Sequence, residues 1–216
     1  MKMGIKVKIC GISDERGVEA SHDADFIGFV FFQKSPRFIS ALRAKELVKF
    51  CSEKQKKVGL FVNADIKIVE HISDYVGLDL VQLHGDETLE FIKELKSKIN
   101  LPIIKAIRVK TSNDIENSKK YENYCDMILF DTKNEKNKIF GGSGISFDWS
   151  ILKNYETKKD WILAGGLNIK NIKNAIKLTG APVLDISSGV ENDLGVKCPK
   201  KIRDVIDYIN QNEYLQ

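Results

Sequence analysis

The feature that most limits the possible folds is a regular alternation of short apolar segments with amphipathic ones along all 216 residues. Eight segments are apolar nearly throughout, which is typical of strands that are buried on both faces of a parallel sheet. The predicted strands are residues 5–10, 26–32, 57–62, 78–84, 102–108, 126–131, 161–165 and 182–187. A sheet built from such strands needs helices to cover it.

The segments between most of the predicted strands have the apolar periodicity of helices that pack one face on a core. The clear cases are residues 40–54, 64–76, 86–99, 168–180 and 199–211. Residues 111–124 form a weaker helix pattern, and the segment after the sixth strand favours a loop. Ser40, Asp86 and Asn168 are predicted helix N-caps, and Gly180 is a predicted helix stop.

Eight strand–helix units in 216 residues leave about 27 residues for each unit, near the lower size limit of an eight-stranded parallel barrel. The sequence therefore predicts an α/β fold, a single (βα)8 TIM barrel of eight parallel strands with outer helices. The main alternative is a doubly wound open sheet, which has the same alternation. No linker or low-complexity tract divides the chain, so we expect one domain over residues 1–216.

Composition argues against several classes of partner. The chain has 34 basic and 30 acidic residues, a formal net charge of +4, and its basic residues are dispersed, so we expect no nucleic-acid partner. No apolar run approaches the roughly 20 residues that span a bilayer, and the N-terminus has no signal-peptide pattern, so we expect a cytoplasmic protein with no membrane partner. Its four cysteines are far apart without a CxxC pair, which predicts free thiols rather than a metal site or disulfides.

Each predicted strand ends near a polar residue or glycine, although the strand interiors are apolar. These residues are Cys10-Gly11, Arg37, Asn63, His84-Gly85-Asp86, Arg108, Asp131-Thr132, Gly165-Gly166 and Ser187-Ser188-Gly189. Ligands of parallel α/β folds bind at the carboxyl ends of the strands. The pattern therefore predicts a site at that end.

Three glycine-rich turns, residues 141–149, 164–168 and 187–192, follow the sixth, seventh and eighth strands. Glycine lets the backbone approach a ligand closely, and N–H groups at a helix start point at an anion. The turns together predict a phosphate site, although each alone would be read as a tight βα turn. The candidates are Gly142, Ser143, Gly144, Gly165, Gly166, Ser188 and Gly189. Because no turn matches GxGxxG or GxxxxGK[ST], a dinucleotide or P-loop nucleotide is not expected.

Nine segments together resemble the motifs of the phosphoribosylanthranilate isomerase family of tryptophan biosynthesis. In order they are KICGI, GFVFFQKSPR, VGLFVN, LVQLHGDE, IIKAIRV, LFDT, GGSGISFDW, ILAGGLN and LDISSGVE. The resemblance runs from about residue 5 to residue 203 and implies a (βα)8 barrel. It also implies an Amadori rearrangement of N-(5-phosphoribosyl)anthranilate to 1-(2-carboxyphenylamino)-1-deoxyribulose 5-phosphate without metal or organic cofactor. The expected ligand is thus a small phosphoribosyl amine, and the expected state a monomer or homodimer.

The resemblance makes Cys10 the general base and Asp131 the general acid. A thiol has an ordinary pKa near 8.5, so a modest lowering would make it a useful base at neutral pH. The competing interpretation of Cys10 is a buried core cysteine, which we keep for the other three cysteines. The competing role of Asp131 is a cap on the following turn. Asp185 is a third functional carboxylate by weaker analogy.

Lys8 shares the strand face of Cys10 because side chains alternate along a strand. A lysine inside the barrel needs a partner, and we predict that Asp185 on the eighth strand pairs with it beneath the substrate. A positive neighbour would favour the thiolate of Cys10. The alternative is an outward lysine on a solvated edge.

By the same resemblance, Arg37 is expected to hold the anthranilate carboxylate, for which a planar bidentate donor is suited. Taken alone, Arg37 would more often be a surface charge. His84, Gln82 and Arg108 are candidate substrate-binding residues, and a structural role for each is about equally compatible with the sequence.

The chain departs from the family pattern at two positions. Ile145 stands where a lysine is often found after the glycine turn, which leaves phosphate binding there to backbone N–H groups. Cys198 stands where an aspartate is common, which concerns the cap of the last helix.

Three other functions are open to a chain of this pattern. The histidine-pathway Amadori isomerase has a similar fold and phosphate turns, but it has an aspartate where Cys10 stands and a phosphate site in each half. A sugar-phosphate sensor that kept the barrel is the second, and turnover would exclude it. The third, a thiol-redox protein, would need a resolving cysteine, and none lies near Cys10 in the sequence.

Overall fold

The computed structural model describes residues 4–132, 148–153 and 155–211. Eight parallel strands form a closed barrel in sequential order, and the last strand pairs with the first. The strands are β1 (Lys6–Cys10), β2 (Phe26–Val30), β3 (Lys56–Phe61), β4 (Leu80–Leu83), β5 (Ile103–Val109), β6 (Met127–Thr132), β7 (Trp161–Leu163) and β8 (Val183–Ile186). The predicted barrel is therefore confirmed, and its closure excludes the open doubly wound sheet.

Helices surround the barrel. They are α1 (Glu15–Ala20), α2 (Ala41–Leu47), α3 (Ile66–Val76), α4 (Leu89–Lys98), α5 (Ser112–Glu122), α6 (Ile172–Thr179) and α7 (Pro199–Gln211). Within the described residues, 3₁₀ turns at Val48–Phe50, Trp149–Leu152 and Ser188–Val190 accompany them. No helix in the described ranges has the length and apolarity that crossing a membrane requires. An antiparallel hairpin that the sequence did not predict, β9 (Glu191–Asp193) and β10 (Val196–Lys197), follows β8.

Two of the predicted helix boundaries are confirmed. The Ser40 side chain accepts a hydrogen bond from the backbone N–H of Arg43 at the start of α2. Gly180 follows α6 in the left-handed conformation, with φ of 64°, which costs glycine little. The predicted weak helix over residues 111–124 is also present as α5.

Two predicted N-caps are wrong. The N-cap of α4 is Thr88 rather than Asp86, because the chain stays in a turn up to Glu87. The N-cap of α6 is Asn171 rather than Asn168, whose side chain instead accepts from the N–H of Lys170 in the turn before the helix.

The core lies in two layers because side chains alternate between the faces of each strand. Outward side chains such as Ile9, Val81 and Phe130 pack against the helices. Inward apolar side chains, including Val58 and Leu129, fill the barrel. Polar inward residues lie toward the carboxyl ends of the strands, so the site has a packed apolar floor.

A buried ion pair holds the turn that follows β4. The Nζ atom of Lys105 lies 2.8 Å from Oε2 of Glu87 and 2.8 Å from the carbonyl oxygen of Gly85. The Glu87 carboxylate also accepts hydrogen bonds from the backbone N–H groups of Asn63 and Gly85. Since His84 precedes Gly85, this pair fixes the segment that carries His84 into the barrel mouth.

We expect Lys105→Met to lower the free energy of unfolding by about 3–5 kcal/mol, because it leaves the buried Glu87 carboxylate without its cation. Urea denaturation at neutral pH measures the loss. The matched control is Lys200→Met, which breaks an exposed pair with Asp204 and should change stability by no more than about 1 kcal/mol. Equal losses in the two variants would contradict a structural role for the buried pair.

Candidate active site

A cavity lies at the carboxyl ends of the strands. The predicted site residues that line it are Cys10, Arg37, His84, Asp131, Gly165, Gly166, Asp185 and Ser188. Gly189 follows Ser188 in the 3₁₀ turn after β8. Gln82 and Arg108 are not among the described residues that line the cavity. Gly142, Ser143, Gly144 and Ile145 lie outside the described residues.

The thiol of Cys10 lies at the end of β1, above a buried ion pair. The Nζ atom of Lys8 is 3.0 Å from each carboxylate oxygen of Asp185, and the Lys8 side chain is 0% exposed. The two residues are register partners where β1 pairs with β8. The predicted pairing of Lys8 with Asp185 is confirmed, and an outward Lys8 is excluded.

Glycine at position 28 makes room for this arrangement. Gly28 is the register partner of Cys10 on β2. A Cβ atom built at Gly28 would lie 2.9 Å from Sγ of Cys10 and 3.2 Å from Nζ of Lys8. Any larger residue there would therefore displace the thiol or the ammonium group.

Burial raises the pKa of the Cys10 thiol, the Lys8 ammonium opposes the rise, and Asp185 adds to it. The sequence led us to expect a lowered thiol pKa, but desolvation outweighs the attraction to Lys8. Burial also works against the charged form of Lys8, yet Asp185 and Cys10 outweigh it and raise the pKa of Lys8. Lys8 is therefore an ammonium ion at neutral pH.

A chain of hydrogen bonds runs from Gln82 through His84 to Asp131. The amide Nε2 of Gln82 lies 2.9 Å from Nδ1 of His84, and Nε2 of His84 lies 3.1 Å from Oδ2 of Asp131. Because an amide nitrogen only donates, Nδ1 of His84 accepts, and its Nε2–H donates to Asp131. The other carboxylate oxygen of Asp131 accepts from the backbone N–H of Thr132 at 2.7 Å. Asp131 is thus held at both oxygens.

Arg37 is held by a glutamate that sequence reasoning did not single out. Nε and Nη2 of Arg37 lie 2.7 and 2.8 Å from the two carboxylate oxygens of Glu191, a bidentate ion pair. Lys197 also contacts Glu191, with Nζ 2.7 Å from Oε1. Burial works against the ionised carboxylate, but these two cations outweigh it and lower the pKa of Glu191. All three side chains are buried, and the hairpin β9–β10 carries two of them.

The glycine turns after β7 and β8 touch each other. A Cβ atom at Gly189 would lie 1.9 Å from the carbonyl oxygen of Leu167, closer than any side chain permits. Gly165 and Gly166 have φ of 88° and 69°, in the left-handed region that favours glycine. These three glycines therefore bring backbone from two strand ends to one wall of the cavity.

The remaining two candidates lie outside this cavity. Arg108 forms an ion pair with Asp86 at the rim of the barrel, with a third of its side chain exposed. Gln82 is buried behind His84, so it acts on the cavity only through that histidine.

Sequence reasoning missed the buried charges Glu87, Lys105, Glu191 and Lys197. One usable signal was present for Lys105, since a charged residue inside an otherwise apolar strand is the same feature that identified Lys8. Glu191 and Lys197 stand in a polar segment, where buried and solvated charges have the same pattern.

Comparisons with known proteins agree with the geometry. The family model described as N-(5'phosphoribosyl)anthranilate (PRA) isomerase matches residues 7–208. The N-(5'-phosphoribosyl)anthranilate isomerase of Paracoccus denitrificans is 42% identical over 207 residues, which cover 94% of this chain and 96% of that protein. The crystal structure of phosphoribosyl anthranilate isomerase from Thermotoga maritima has a TM-score of 0.84 and 33% identity, with 96% and 99% of the two chains covered.

A further similar structure carries a ligand. It is a crystal structure of phosphoribosyl anthranilate isomerase in complex with reduced 1-(o-carboxyphenylamino)-1-deoxyribulose 5-phosphate. Its TM-score is 0.82 at 32% identity, and the similarity covers 96% of this chain and 99% of that one.

We expect Lys8→Met to raise the pKa of the Cys10 thiol further, because it removes the cation that opposes the effect of burial. At a pH below the thiol pKa, each unit of added pKa lowers the thiolate fraction about tenfold, and because a more basic thiolate is more nucleophilic, alkylation of Cys10 should slow about threefold. Lys6→Met is the matched control, because Lys6 lies on the same strand as Lys8 but pairs with Asp160 before β7, with about a third of its side chain exposed. If the alkylation rate is unchanged in Lys8→Met and circular dichroism shows an intact fold, Lys8 does not affect the pKa of the Cys10 thiol.

Proposed function

The chain belongs to the N-(5'-phosphoribosyl)anthranilate isomerase family, aldose–ketose isomerases of tryptophan biosynthesis, and on that premise we propose which of its residues perform the reaction. Cys10 is the general base and Asp131 is the general acid. The observation that supports this assignment is that both side chains line one cavity at the carboxyl ends of the strands. The substrate is N-(5-phosphoribosyl)anthranilate, and the product is 1-(2-carboxyphenylamino)-1-deoxyribulose 5-phosphate.

The reaction needs two proton transfers at different atoms of the aminosugar. Asp131 protonates the ring oxygen, which opens the furanose and leaves a protonated imine at C1. Cys10 then takes the proton from C2, which gives an enolamine that tautomerises to the ketone. A strand-end thiol and a strand-end carboxyl on separate strands can reach two atoms of one bound sugar.

The neighbours of each group hold it in place or stabilise its charge. His84 donates to Asp131 and is itself oriented by Gln82, so the acid has one orientation toward the cavity. Lys8 stabilises the negative charge that forms on the thiol, because its ammonium group lies directly below Cys10. Asp185 also lines the cavity, where its carboxylate would stabilise the positive imine at C1.

Different residues bind the two anionic groups of the substrate. Arg37 binds the anthranilate carboxylate. Backbone N–H groups at Gly165, Gly166, Ser188 and Gly189 bind the phosphate, a role that fits the close approach of the two turns. Gly142, Ser143 and Gly144 are proposed for the same phosphate from the sequence alone. Gln82 and Arg108 receive no direct substrate contact in this proposal.

Other expectations stay predictions. We propose that residues 1–216 form one catalytic domain that works in the cytoplasm on a small-molecule substrate. The expected state is a monomer or a homodimer, and the expected reaction uses no metal or organic cofactor.

We expect the purified protein to consume phosphoribosylanthranilate. The decay of the substrate's fluorescence measures this consumption. A transferase in the assay generates the substrate from anthranilate and phosphoribosyl pyrophosphate. Cys10→Ala and Asp131→Asn should each lose at least about 10²-fold in kcat, the low end of a general acid or base contribution. Cys51→Ala is the matched control, because Cys51 lies beside α2 and not in the cavity.

The outcomes of this assay separate the two parts of the proposal. If substrate fluorescence does not decay with the unmodified protein, the isomerase function is contradicted and the alternative of a sugar-phosphate sensor is favoured. Full activity of Cys10→Ala would support the isomerase function but exclude Cys10 as the general base.

We expect Gly189→Ala to raise KM for the substrate at least about tenfold, because the new Cβ must push the turn after β8 away from Leu167 and misplace its N–H groups. Inhibition by inorganic phosphate should weaken in parallel. Gly180→Ala is the control: its left-handed φ of 64° costs the variant some stability, but a Cβ there has no neighbour within 4 Å and the residue does not line the cavity, so binding should be unchanged. Equal phosphate inhibition in all three proteins would contradict a phosphate site at Gly189.

A further inference from the structure

We propose that Gln82 is a positioning residue that determines which ring nitrogen of His84 carries the proton, and that it thereby keeps the acid proton of Asp131 available to the substrate. This inference rests on the proposed function, in which Asp131 is the general acid. Gln82 is not among the described residues that line the cavity, so it acts through His84 and makes no contact with the substrate.

Gln82 places a buried amide among apolar side chains. Its side chain is fully buried, and its register partners on β3 and β5 are Leu60 and Ile104. The amide oxygen Oε1 has no hydrogen-bond partner among the described residues, whereas the amide nitrogen contacts Nδ1 of His84. A buried amide with an unsatisfied oxygen costs free energy that an apolar side chain would avoid. The contact with His84 is therefore the interaction that Gln82 contributes.

The surroundings of Gln82 favour the observed orientation of its amide. In this orientation one buried acceptor, Oε1, is unsatisfied. If the amide were reversed, its NH2 group would lie where Oε1 lies, beside strands whose side chains Leu60 and Ile104 offer no acceptor, and two donors would be unsatisfied. The amide nitrogen therefore points at His84. Nδ1 of the neutral His84 ring accepts, and Nε2 carries the hydrogen.

The hydrogen on Nε2 of His84 restricts where Asp131 can hold its acid proton. Nε2 lies 3.1 Å from Oδ2 of Asp131. A ring nitrogen that carries hydrogen is only a donor, so Nε2 cannot accept the carboxyl proton. Oδ1 already accepts from the backbone N–H of Thr132, and the Asp131 side chain lines the cavity, so the carboxyl proton is directed at the cavity. In the other tautomer of His84, Nε2 would accept that proton in place of the substrate.

The backbone that carries His84 does not depend on Gln82. The N–H of His84 donates to the carbonyl oxygen of Phe61 on β3, at 2.8 Å. The next residue, Gly85, donates its N–H to the buried carboxylate of Glu87. A change at Gln82 should therefore alter the protonation of the His84 ring while the turn after β4 stays in place.

The first test is the rate of the reaction in Gln82→Met, a variant with an apolar side chain of similar length that cannot donate to Nδ1 of His84. We expect kcat to fall at least about tenfold, part of the contribution of a general acid, because His84 then captures the acid proton. KM should stay within about threefold of its original value, because the residues that line the cavity are unchanged. A purely structural role for Gln82 would not separate kcat from KM in this way.

Gln55→Met is the matched control. Gln55 is also a buried glutamine, but its amide bonds to Ser21 and Ser52, and it is not among the described residues that line the cavity. Because Gln55→Met loses two satisfied hydrogen bonds, we expect it to lower the urea midpoint of unfolding more than Gln82→Met does. Its kcat should equal that of the unmodified protein.

A double-mutant cycle tests whether Gln82 acts only through His84. His84→Ala should lower kcat, because it removes the hydrogen bond that orients Asp131. Gln82→Met/His84→Ala should have a kcat within about twofold of that of His84→Ala, because Gln82 then has no ring to position.

A second measurement reads the position of the ring hydrogen directly. The chain has three histidines, so the proton–nitrogen correlation spectrum of protein with isotope-labelled histidine is simple, and comparison with His84→Ala identifies His84. Asp131→Asn stands in for the uncharged acid. At about pH 8.5, where imidazole is neutral in water, we expect Asp131→Asn to contain only the Nε2–H form of His84. Asp131→Asn/Gln82→Met should contain both tautomers.

Three results would overturn the inference. An unchanged kcat in Gln82→Met, or a further loss when Gln82→Met is added to His84→Ala, would show that Gln82 does not act through His84. A single Nε2–H form in both Asp131→Asn proteins would show that Gln82 does not select the tautomer. If Gln82→Met does not fold, Gln82→Leu takes its place in each measurement.

Failure of the proposed function gives a different result. If the unmodified protein does not turn over phosphoribosylanthranilate, the isomerase function is refuted, and with it the catalytic part of the inference. If the unmodified protein is active and Gln82→Met is equally active, the inference alone is refuted.

Discussion

The buried pair of Lys8 and Asp185 joins the first strand of the barrel to the last, and the arrangement of the site depends on it. An ammonium group with no exposed surface requires a carboxylate beside it, so β1 and β8 must meet in the register that places the two together. The same register sets Cys10 one alternation above Lys8, facing the cavity. The pairing that closes the barrel therefore also fixes the position of the Cys10 thiol.

Two other buried charge clusters fix the positions of loops at the rim of the barrel in the same way. Lys105 and Glu87 hold the turn after β4, which delivers His84. Glu191 holds Arg37 and is itself held by Lys197 on the hairpin after β8. Buried ion pairs add little net stability, because desolvation offsets the attraction, but each demands one geometry. The apolar layers below supply the stability of the barrel, and these pairs order the loops above it.

The barrel could be predicted from the sequence because strands buried on both faces leave a clear apolar signal. The pairing of Lys8 with Asp185 could be predicted too, because a charge inside an apolar strand needs a partner. The hairpin with Glu191 and Lys197 could not be predicted, since a buried salt bridge in a polar segment has the pattern of a solvated loop. The sequence predicted Asp86 as the N-cap of α4, whereas the structure has Thr88. The long-range contact of Glu87 with Lys105 overrides the local cap preference. The direction of the pKa shift at Cys10 depends on burial, which sequence spacing does not measure.

In the proposed mechanism, the thiol above the Lys8–Asp185 pair takes the substrate proton. Its most direct test is to measure the pKa of Cys10 from the pH dependence of its alkylation and to compare it with the rising limb of kcat/KM against pH. A base must lose its proton before it acts, so kcat/KM should fall as pH falls through the thiol pKa. If Cys10 is the base, the two pKa values coincide and lie above the ordinary thiol value of about 8.5. A rising limb whose pKa differs from that of the thiol would contradict Cys10 as the base.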